Sequence, residues 1–79
     1  MGGDAEKEIL KILETAMKRE IDAEKLYRRG AEIAVRPEVK KMFIKLADEE
    51  KKHEKVLRDF YRETKKRLGL KIFGEDDPS

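Results

Sequence analysis

The sequence predicts an all-α protein, an antiparallel hairpin of two long helices that dimerises into a four-helix bundle. Apolar residues recur at spacings of three and four along most of the chain, which is the period of an amphipathic helix. Pro37 follows a short break in this pattern, and the segments before and after the break are nearly equal in length. Two such helices joined by a short turn pack against each other as a hairpin.

The first helix is predicted over about residues 5–34. Asp4 precedes it and is a suitable N-cap, because its carboxylate can accept a hydrogen bond from a free backbone N–H of the first turn. Gly30 lies inside the helical pattern and weakens the helix locally. The apolar positions of this helix are Ile9, Leu13, Ala16, Met17, Ile21, Tyr27 and Ala31.

The second helix is predicted over about residues 37–68, with Val35 and Arg36 as the turn. Proline has no N–H to donate, and the first position of a helix does not require one. Gly69 is a suitable stop signal, and residues 69–79 are predicted to be a flexible tail. The last turn of the second helix is basic (Lys65, Lys66 and Arg67). The apolar stripe of this helix comprises Val39, Met42, Phe43, Leu46, Leu57, Phe60, Thr64 and Leu68.

The composition limits how this hairpin can be stabilised. The chain has 79 residues, 48% of them charged and 38% hydrophobic, so we expect a single domain over residues 1–79 with a thin core. Proteins of this size usually need disulfides, a metal or partner subunits. The absence of cysteine excludes disulfides, thiolate zinc sites and thiol redox chemistry, which leaves a metal or oligomerisation.

Charge and hydropathy argue against two classes of partner. Basic and acidic residues are interspersed and nearly balance, with a net charge of +2, so neither nucleic acid nor an anionic membrane is expected as a partner. No apolar run approaches the roughly 18 residues of a membrane span, and the first residues do not resemble a signal peptide. We therefore expect a cytoplasmic protein. The lack of Asn, Gln and Cys beside abundant Lys, Glu and Arg follows the trend of hyperthermophile proteins.

A polar band interrupts both apolar stripes at mid-length. On the second helix the stripe passes from Leu46 through Glu49 or Glu50, which helical spacing alone does not distinguish, to His53. On the first helix it passes through Glu20 and Glu24. Glu20 and Glu50 are each 15 residues from Val35, which places both about 22 Å from the turn.

Inward carboxylates need protonation, a salt bridge, a hydrogen bond or a metal. Glu50 and His53 are three residues apart and share a helix face, so together they can reach one ion. One hairpin would under-coordinate a metal, whereas two hairpins supply four carboxylates and two imidazoles. That is the ligand set of a dinuclear iron or manganese centre in a four-helix bundle.

Glu20 with Tyr27 seven residues later, and Glu50-x-x-His53 within ADEEKKHEK, resemble the ferritin-like superfamily, especially rubrerythrins and encapsulated ferritins, over roughly residues 9–62. The resemblance implies that Glu20, Glu50 and His53 are iron ligands, with manganese or zinc as substitutes. It also implies that Tyr27 is the tyrosine near the site that hydrogen-bonds a ligand carboxylate. Glu24 and Glu49 have no assured counterpart and are candidates for the second layer of the site or for the path by which metal arrives.

The function implied by the resemblance is oxidation of Fe(II) by dioxygen or peroxide, a ferroxidase activity that serves iron handling and protection from oxidative stress. Encapsulated ferritins also carry one helix pair per chain and build this centre between two subunits, so the expected assembly is a homodimer or larger homo-oligomer. The tail is a candidate cargo-loading peptide for an encapsulin shell. Because the chain has no cysteine, the rubredoxin module and complete peroxidase cycle of rubrerythrin are not expected.

A metal-free reading uses the same residues. A helical hairpin that dimerises to bury its stripes would be a structural or adaptor protein, with the polar band fixing the register of the helices. In that reading Glu50 and His53 form a surface salt bridge, Tyr27 is a core residue, and Glu24 and Glu49 are solvated or salt-bridged. A hairpin that binds nucleic acid is a third reading, and it requires binding that depends steeply on salt.

Overall fold

The computed structural model describes residues 2–69, which form two antiparallel helices, α1 over Gly2–Ile33 and α2 over Pro37–Arg67. The molecule is 53 Å long and 13 Å thin, so it is a single layer of helices. The all-α antiparallel hairpin predicted from the sequence is confirmed. Dimerisation remains a prediction.

Three residues, 34–36, connect the helices. Arg36 is extended, with φ −82° and ψ 130°, because a residue before proline is excluded from the α conformation by steric clash. Pro37 is the first residue of α2, as predicted, and the N–H groups of Val39 and Lys40 donate to the Arg36 carbonyl at 3.1 and 3.0 Å. Because the connection is short, residues of α1 and α2 that are equally distant from it along the chain lie at the same height.

The turn is also held by Lys40. The last turn of α1 contains no basic residue, although the free carbonyls at a helix C-terminus attract cations. Lys40 of α2 supplies the charge, because its Nζ donates to the Ala31 carbonyl at 2.7 Å. This contact joins the end of one helix to the beginning of the other.

The outer ends of the helices differ in part from the prediction. α1 begins at Gly2, so Asp4 lies inside the first turn and is not an N-cap. Its charge still faces the positive end of the helix, which favours a carboxylate anywhere in the first turn. α2 ends as predicted, with Gly69 in the left-handed conformation at φ 69°. The predicted flexible tail beyond Gly69, with its candidate cargo-loading peptide, lies outside the described residues.

The core is thin, and its buried side chains are mostly small. Ala47 is fully buried, and Leu10, Ala31 and Thr64 are less than one-tenth exposed. Gly30 lies directly against Phe43, because a Cβ built on Gly30 would come within 2.9 Å of the Phe43 ring. The glycine that interrupts the helical pattern thus makes room for an aromatic ring of the facing helix.

Four residues predicted to face the core are exposed instead. Ile9, Ile21, Met42 and Phe60 are between 39% and 61% exposed, because a two-helix layer covers only one narrow stripe on each helix. Leu10 takes the inward position that the pattern assigned to Ile9. Seven exposed apolar side chains, called the flank stripe below, lie beside the inward residues: Ile9, Ile12, Leu26, Ile33, Met42, Val56 and Phe60. Neither helix of residues 2–69 has a segment long and apolar enough to cross a membrane.

The close contact between Gly30 and Phe43 makes a stability prediction. In an exposed helix, Gly to Ala stabilises by about 1 kcal/mol, but Gly30→Ala should destabilise this protein by about 1–2 kcal/mol, because the added methyl overpacks the Phe43 ring. The measurement is urea unfolding at fixed chain concentration. In a Phe43→Leu background the same substitution should be neutral or stabilising, and equal effects in both backgrounds would contradict the packing account.

Candidate metal centre

Glu20 of α1 and Glu50 of α2 face each other near the middle of the hairpin. Because the connection is short, two residues equally distant from it reach the same height, and both stand about 22 Å from the turn. Their side chains are only 24% and 18% exposed. The helices therefore hold two carboxylates on the inward side of a protein that has little core.

His53 completes the cluster one turn beyond Glu50. Its Nδ1 lies 3.2 Å from Oε2 of Glu20 and 3.9 Å from Oε1 of Glu50. Each of the three residues offers one potential ligand atom, and these three atoms lie within 4.8 Å of one another. The structure thus brings together the three residues proposed as ligands, and leaves the His53 side chain 63% exposed toward the flank.

No cation from Lys or Arg neutralises this cluster within residues 2–69. The neighbouring inward carboxylates on the same helices do have such partners. Glu24 pairs with Arg28 at 3.2 Å, and Glu54 forms a two-point ion pair with Arg58. The hairpin therefore neutralises the carboxylates above and below the cluster and leaves Glu20 and Glu50 with only an imidazole between them.

The proximity of the two carboxylates shifts the titration of Glu50. A hydrogen bond with the Glu20 carboxyl raises the pKa of Glu50, and partial burial and the negative charge of Glu20 raise it further. His53 acts in the opposite direction, because its charge lowers the pKa of Glu50. A proton shared by two acids is the usual response when no cation is present. The same two carboxylates would release that proton to a metal ion.

The donor atoms fit iron or manganese, which favour carboxylate and imidazole ligands together. Three residues from one hairpin can supply one ion with two carboxylates and one imidazole nitrogen, and they leave further positions open. The assignment of Glu20, Glu50 and His53 as iron ligands remains a prediction, since the geometry shows only that the three can hold an ion together.

Tyr27 lies two turns from Glu20 toward the connection. Its ring stacks on Phe43, with centroids 6.3 Å apart and an angle of 27° between the planes. Within the described residues its hydroxyl forms no hydrogen bond with the three clustered side chains. The single hairpin thus shows Tyr27 as a packing residue, and its predicted bond to a ligand carboxylate stays a prediction.

Arg28 is the residue near the cluster that the sequence reading missed. It donates to Asp48 at 2.9 Å and to Glu24 at 3.2 Å, so it links the two helices one turn above the site. The hydrogen bond to Asp48 is the largest contribution to the raised pKa of Arg28. Spacing predicts the pair with Glu24, four residues away on the same helix, but not the bond to the other helix.

Glu49, the other candidate for the second layer of the site, is exposed.

Comparison with known protein families matched the rubrerythrin family model to residues 11–76 of this chain. The match contains both helices from Lys11 onward and all three clustered residues. No curated protein and no solved structure matched the chain.

The repulsion between Glu20 and Glu50 predicts a substitution that stabilises the metal-free protein. Because the pKa of Glu50 is raised in the folded state, the folded protein binds a proton that the unfolded chain releases near pH 4.3. Stability therefore falls as the pH rises through the folded pKa. Glu50→Gln should raise the urea midpoint at neutral pH, and this gain should disappear as the pH falls below the usual glutamate range.

The matched control is Glu49→Gln, which removes an exposed carboxylate from the next position on the same helix. It should change the urea midpoint less than Glu50→Gln at neutral pH, with chelator present in every sample. A loss of stability at neutral pH in Glu50→Gln alone would show that the two inward carboxylates do not repel each other.

Proposed function

Because this chain belongs to the rubrerythrin family, we propose that two copies of it hold a pair of iron ions with Glu20, Glu50 and His53 of each copy and oxidise Fe(II) with dioxygen or peroxide. The observation that carries the proposal is the cluster of two inward carboxylates and one imidazole, which no Lys or Arg of residues 2–69 neutralises. Rubrerythrin-family proteins typically bind a di-iron centre, and this cluster has the donors that such a centre uses.

The site is proposed to be shared because one hairpin has half of the ligands. A di-iron centre in a four-helix bundle uses a Glu from each of two helices and Glu-x-x-His from each of the other two. This chain offers one of each on a layer that is one helix thick. His53 points to the exposed flank, where a second copy would supply the remaining donors.

The protein's own residues prepare the site for a cation. Glu20 and Glu50 provide negative charge that no Lys or Arg in the described part of the chain neutralises. Arg28 and Arg58 pair with the adjacent inward carboxylates, Glu24 and Glu54, instead. His53 must present Nδ1 without a proton, and the proton then resides on Nε2, whose hydrogen-bond acceptor would fix this tautomer. Bound iron supplies one-electron chemistry toward dioxygen or peroxide, and manganese or zinc would occupy the same ligands.

Proton competition should make metal binding depend on pH. The raised pKa of Glu50 means that this carboxyl holds its proton to higher pH than an ordinary glutamate, so metal affinity should fall as the medium is acidified through that range. An encapsulin shell is proposed as a partner only because the tail is a candidate cargo-loading peptide, and the tail lies outside residues 2–69. The competing function is a metal-free adaptor hairpin, and an iron titration separates the two functions.

Anaerobic Fe(II) titration of chelator-treated protein is the direct test. Wild type should bind about one iron per chain and consume oxygen when air is admitted. Glu50→Ala with His53→Ala should do neither, because two of the three donors are lost. The matched control, Asp59→Ala with Glu63→Ala, removes two exposed acidic side chains of the same helix and should behave like wild type. Equal, negligible iron binding by all three proteins would favour the metal-free adaptor.

Tyr27→Phe tests the proposed role of the tyrosine. The substitution keeps the ring that stacks on Phe43, so the melting temperature should not change. If the hydroxyl hydrogen-bonds a ligand carboxylate in the assembled site, Fe(II) oxidation should slow about tenfold or more. The control is Tyr61→Phe, since the Tyr61 hydroxyl donates to Glu14 at 3.3 Å, away from the cluster. An unchanged oxidation rate in Tyr27→Phe would leave Tyr27 as a packing residue.

A further inference from the structure

The Arg28 side chain joins two carboxylates of different helices through one atom. Its Nη2 lies 3.2 Å from Oε2 of Glu24 on α1 and 2.9 Å from Oδ1 of Asp48 on α2. A single positively charged nitrogen thus contacts one carboxylate oxygen from each helix, as a bridging metal ion would. Within residues 2–69, neither Glu24 nor Asp48 pairs with any other basic side chain.

These two carboxylates repeat the arrangement of the candidate metal centre at a neighbouring level. Glu24 is one helical turn from Glu20, about 6 Å along the helix axis, and its side chain is similarly covered by the fold. Asp48 precedes Glu50 by two residues on α2. Each pair therefore combines an acid of α1 with an acid of α2. The difference between the pairs is that the one formed by Glu24 and Asp48 contains Arg28.

Without the guanidinium, the pair of Glu24 and Asp48 would have the donors for a divalent cation. Two carboxylates completed by water can hold such an ion. Metal–carboxylate distances are about 2.0–2.2 Å, so each oxygen would need to move only about 1 Å closer than it now lies to Nη2 of Arg28. An ion in this position would have no imidazole ligand, because His53 lies on the other side of Glu50 from Asp48 along α2.

We propose that Arg28 is a specificity-determining residue, a fixed cation that occupies the pair of Glu24 and Asp48 and thereby limits each hairpin to the single ion of the candidate metal centre. The inference rests on the proposed function in one respect, that this centre binds metal. It adds a role for a side chain that touches none of the proposed ligands. Arg28 keeps metal out of a neighbouring carboxylate pair in which an ion would lack the histidine.

The chemistry of arginine suits this role. A metal ion displaces a proton from a carboxyl group or an imidazole when it binds, but a guanidinium does not give up its proton in a protein. A metal would therefore have to expel the whole Arg28 side chain from its two partners. The hydrogen bond to Asp48 and the further bond to Glu24 favour the charged form and raise the pKa of Arg28. The planar guanidinium also offers several N–H donors at once, which a lysine does not.

Arg58, the other arginine beside the centre, provides a contrast within the same chain. Both of its hydrogen bonds go to one carboxylate, that of Glu54 on the same helix, and it pairs with no second acid within the described residues. Loss of Arg58 would leave one inward carboxylate, which can take up a proton instead of a metal. The role of fixed cation between two acids is therefore assigned to Arg28 and not to Arg58.

Counting bound Mn(II) tests the inference without measuring oxidation. Chelator-treated wild type should bind about one Mn(II) per chain, and Arg28→Met should bind about one more, held by Glu24 and Asp48. Arg28→Lys keeps a cation in place and should bind as many ions as wild type. Adding Glu24→Gln and Asp48→Asn to Arg28→Met should remove the extra ion. Equilibrium dialysis followed by metal analysis gives the count.

Two arginine variants serve as matched controls. Arg29→Met removes an exposed arginine at the next position, and Arg58→Met removes the arginine that holds a single acid. Both should keep the wild-type count. A count in Arg28→Met equal to that of wild type, or an extra ion in Arg29→Met as well, would overturn the inference.

Stability gives a second readout that does not depend on the count. Arg28→Met should unfold at lower urea than wild type in chelator, because two facing acids lose their only cation, and Mn(II) should raise its urea midpoint more than that of wild type. If the variant is unfolded in chelator, Mn(II) should refold it, and failure of Mn(II) to restore the helices would also overturn the inference. Far-UV circular dichroism follows the helices in both cases.

The same counts separate this inference from the proposed function. Wild type that binds no Mn(II), beside Arg28→Met that binds an ion through Glu24 and Asp48, would reject the proposed function and retain the exclusion of metal by Arg28. Wild type that binds one ion, beside Arg28→Met that gains none, would do the reverse.

Discussion

The three-residue connection between the helices sets the register on which the other features depend. It brings Glu20 and Glu50 to the same height, where they meet on the inward side of the hairpin within reach of His53. A hydrogen bond between the two carboxyl groups raises the pKa of Glu50, and partial burial and the negative charge of Glu20 raise it further. The carboxylates one turn away are neutralised by arginines, so the repulsion is confined to the level at which a cation is proposed to bind.

A single layer of two helices also leaves apolar side chains uncovered. The flank stripe is large for a protein whose buried residues are mostly small, and exposed apolar patches of this kind usually mark an interaction surface. His53 lies on the same flank, so the surface that would stabilise a dimer is also the surface through which a second set of ligands would reach the cluster. Assembly and metal binding are thereby expected to stabilise each other.

The main parts of this architecture could be predicted from the sequence, because they follow from spacing along the chain. Pro37 marked the turn, and counting residues from Val35 placed Glu20 opposite Glu50. Contacts between side chains of different helices could not be predicted in this way. The fit of Phe43 against Gly30 and the bond from Arg28 to Asp48 depend on the rotation of each helix. The same uncertainty of rotation explains why Ile9 was predicted to be inward where Leu10 is buried.

Anomalous X-ray scattering at the iron edge, from crystals of protein loaded with Fe(II) without air, would show whether Glu20, Glu50 and His53 hold iron. If the site is shared, two iron peaks should lie between two copies of the chain, related by a two-fold axis and within bonding distance of Glu20, Glu50 and His53. Iron peaks elsewhere on the surface, or an ordered dimer whose Glu20 and Glu50 hold no iron, would contradict the proposed site.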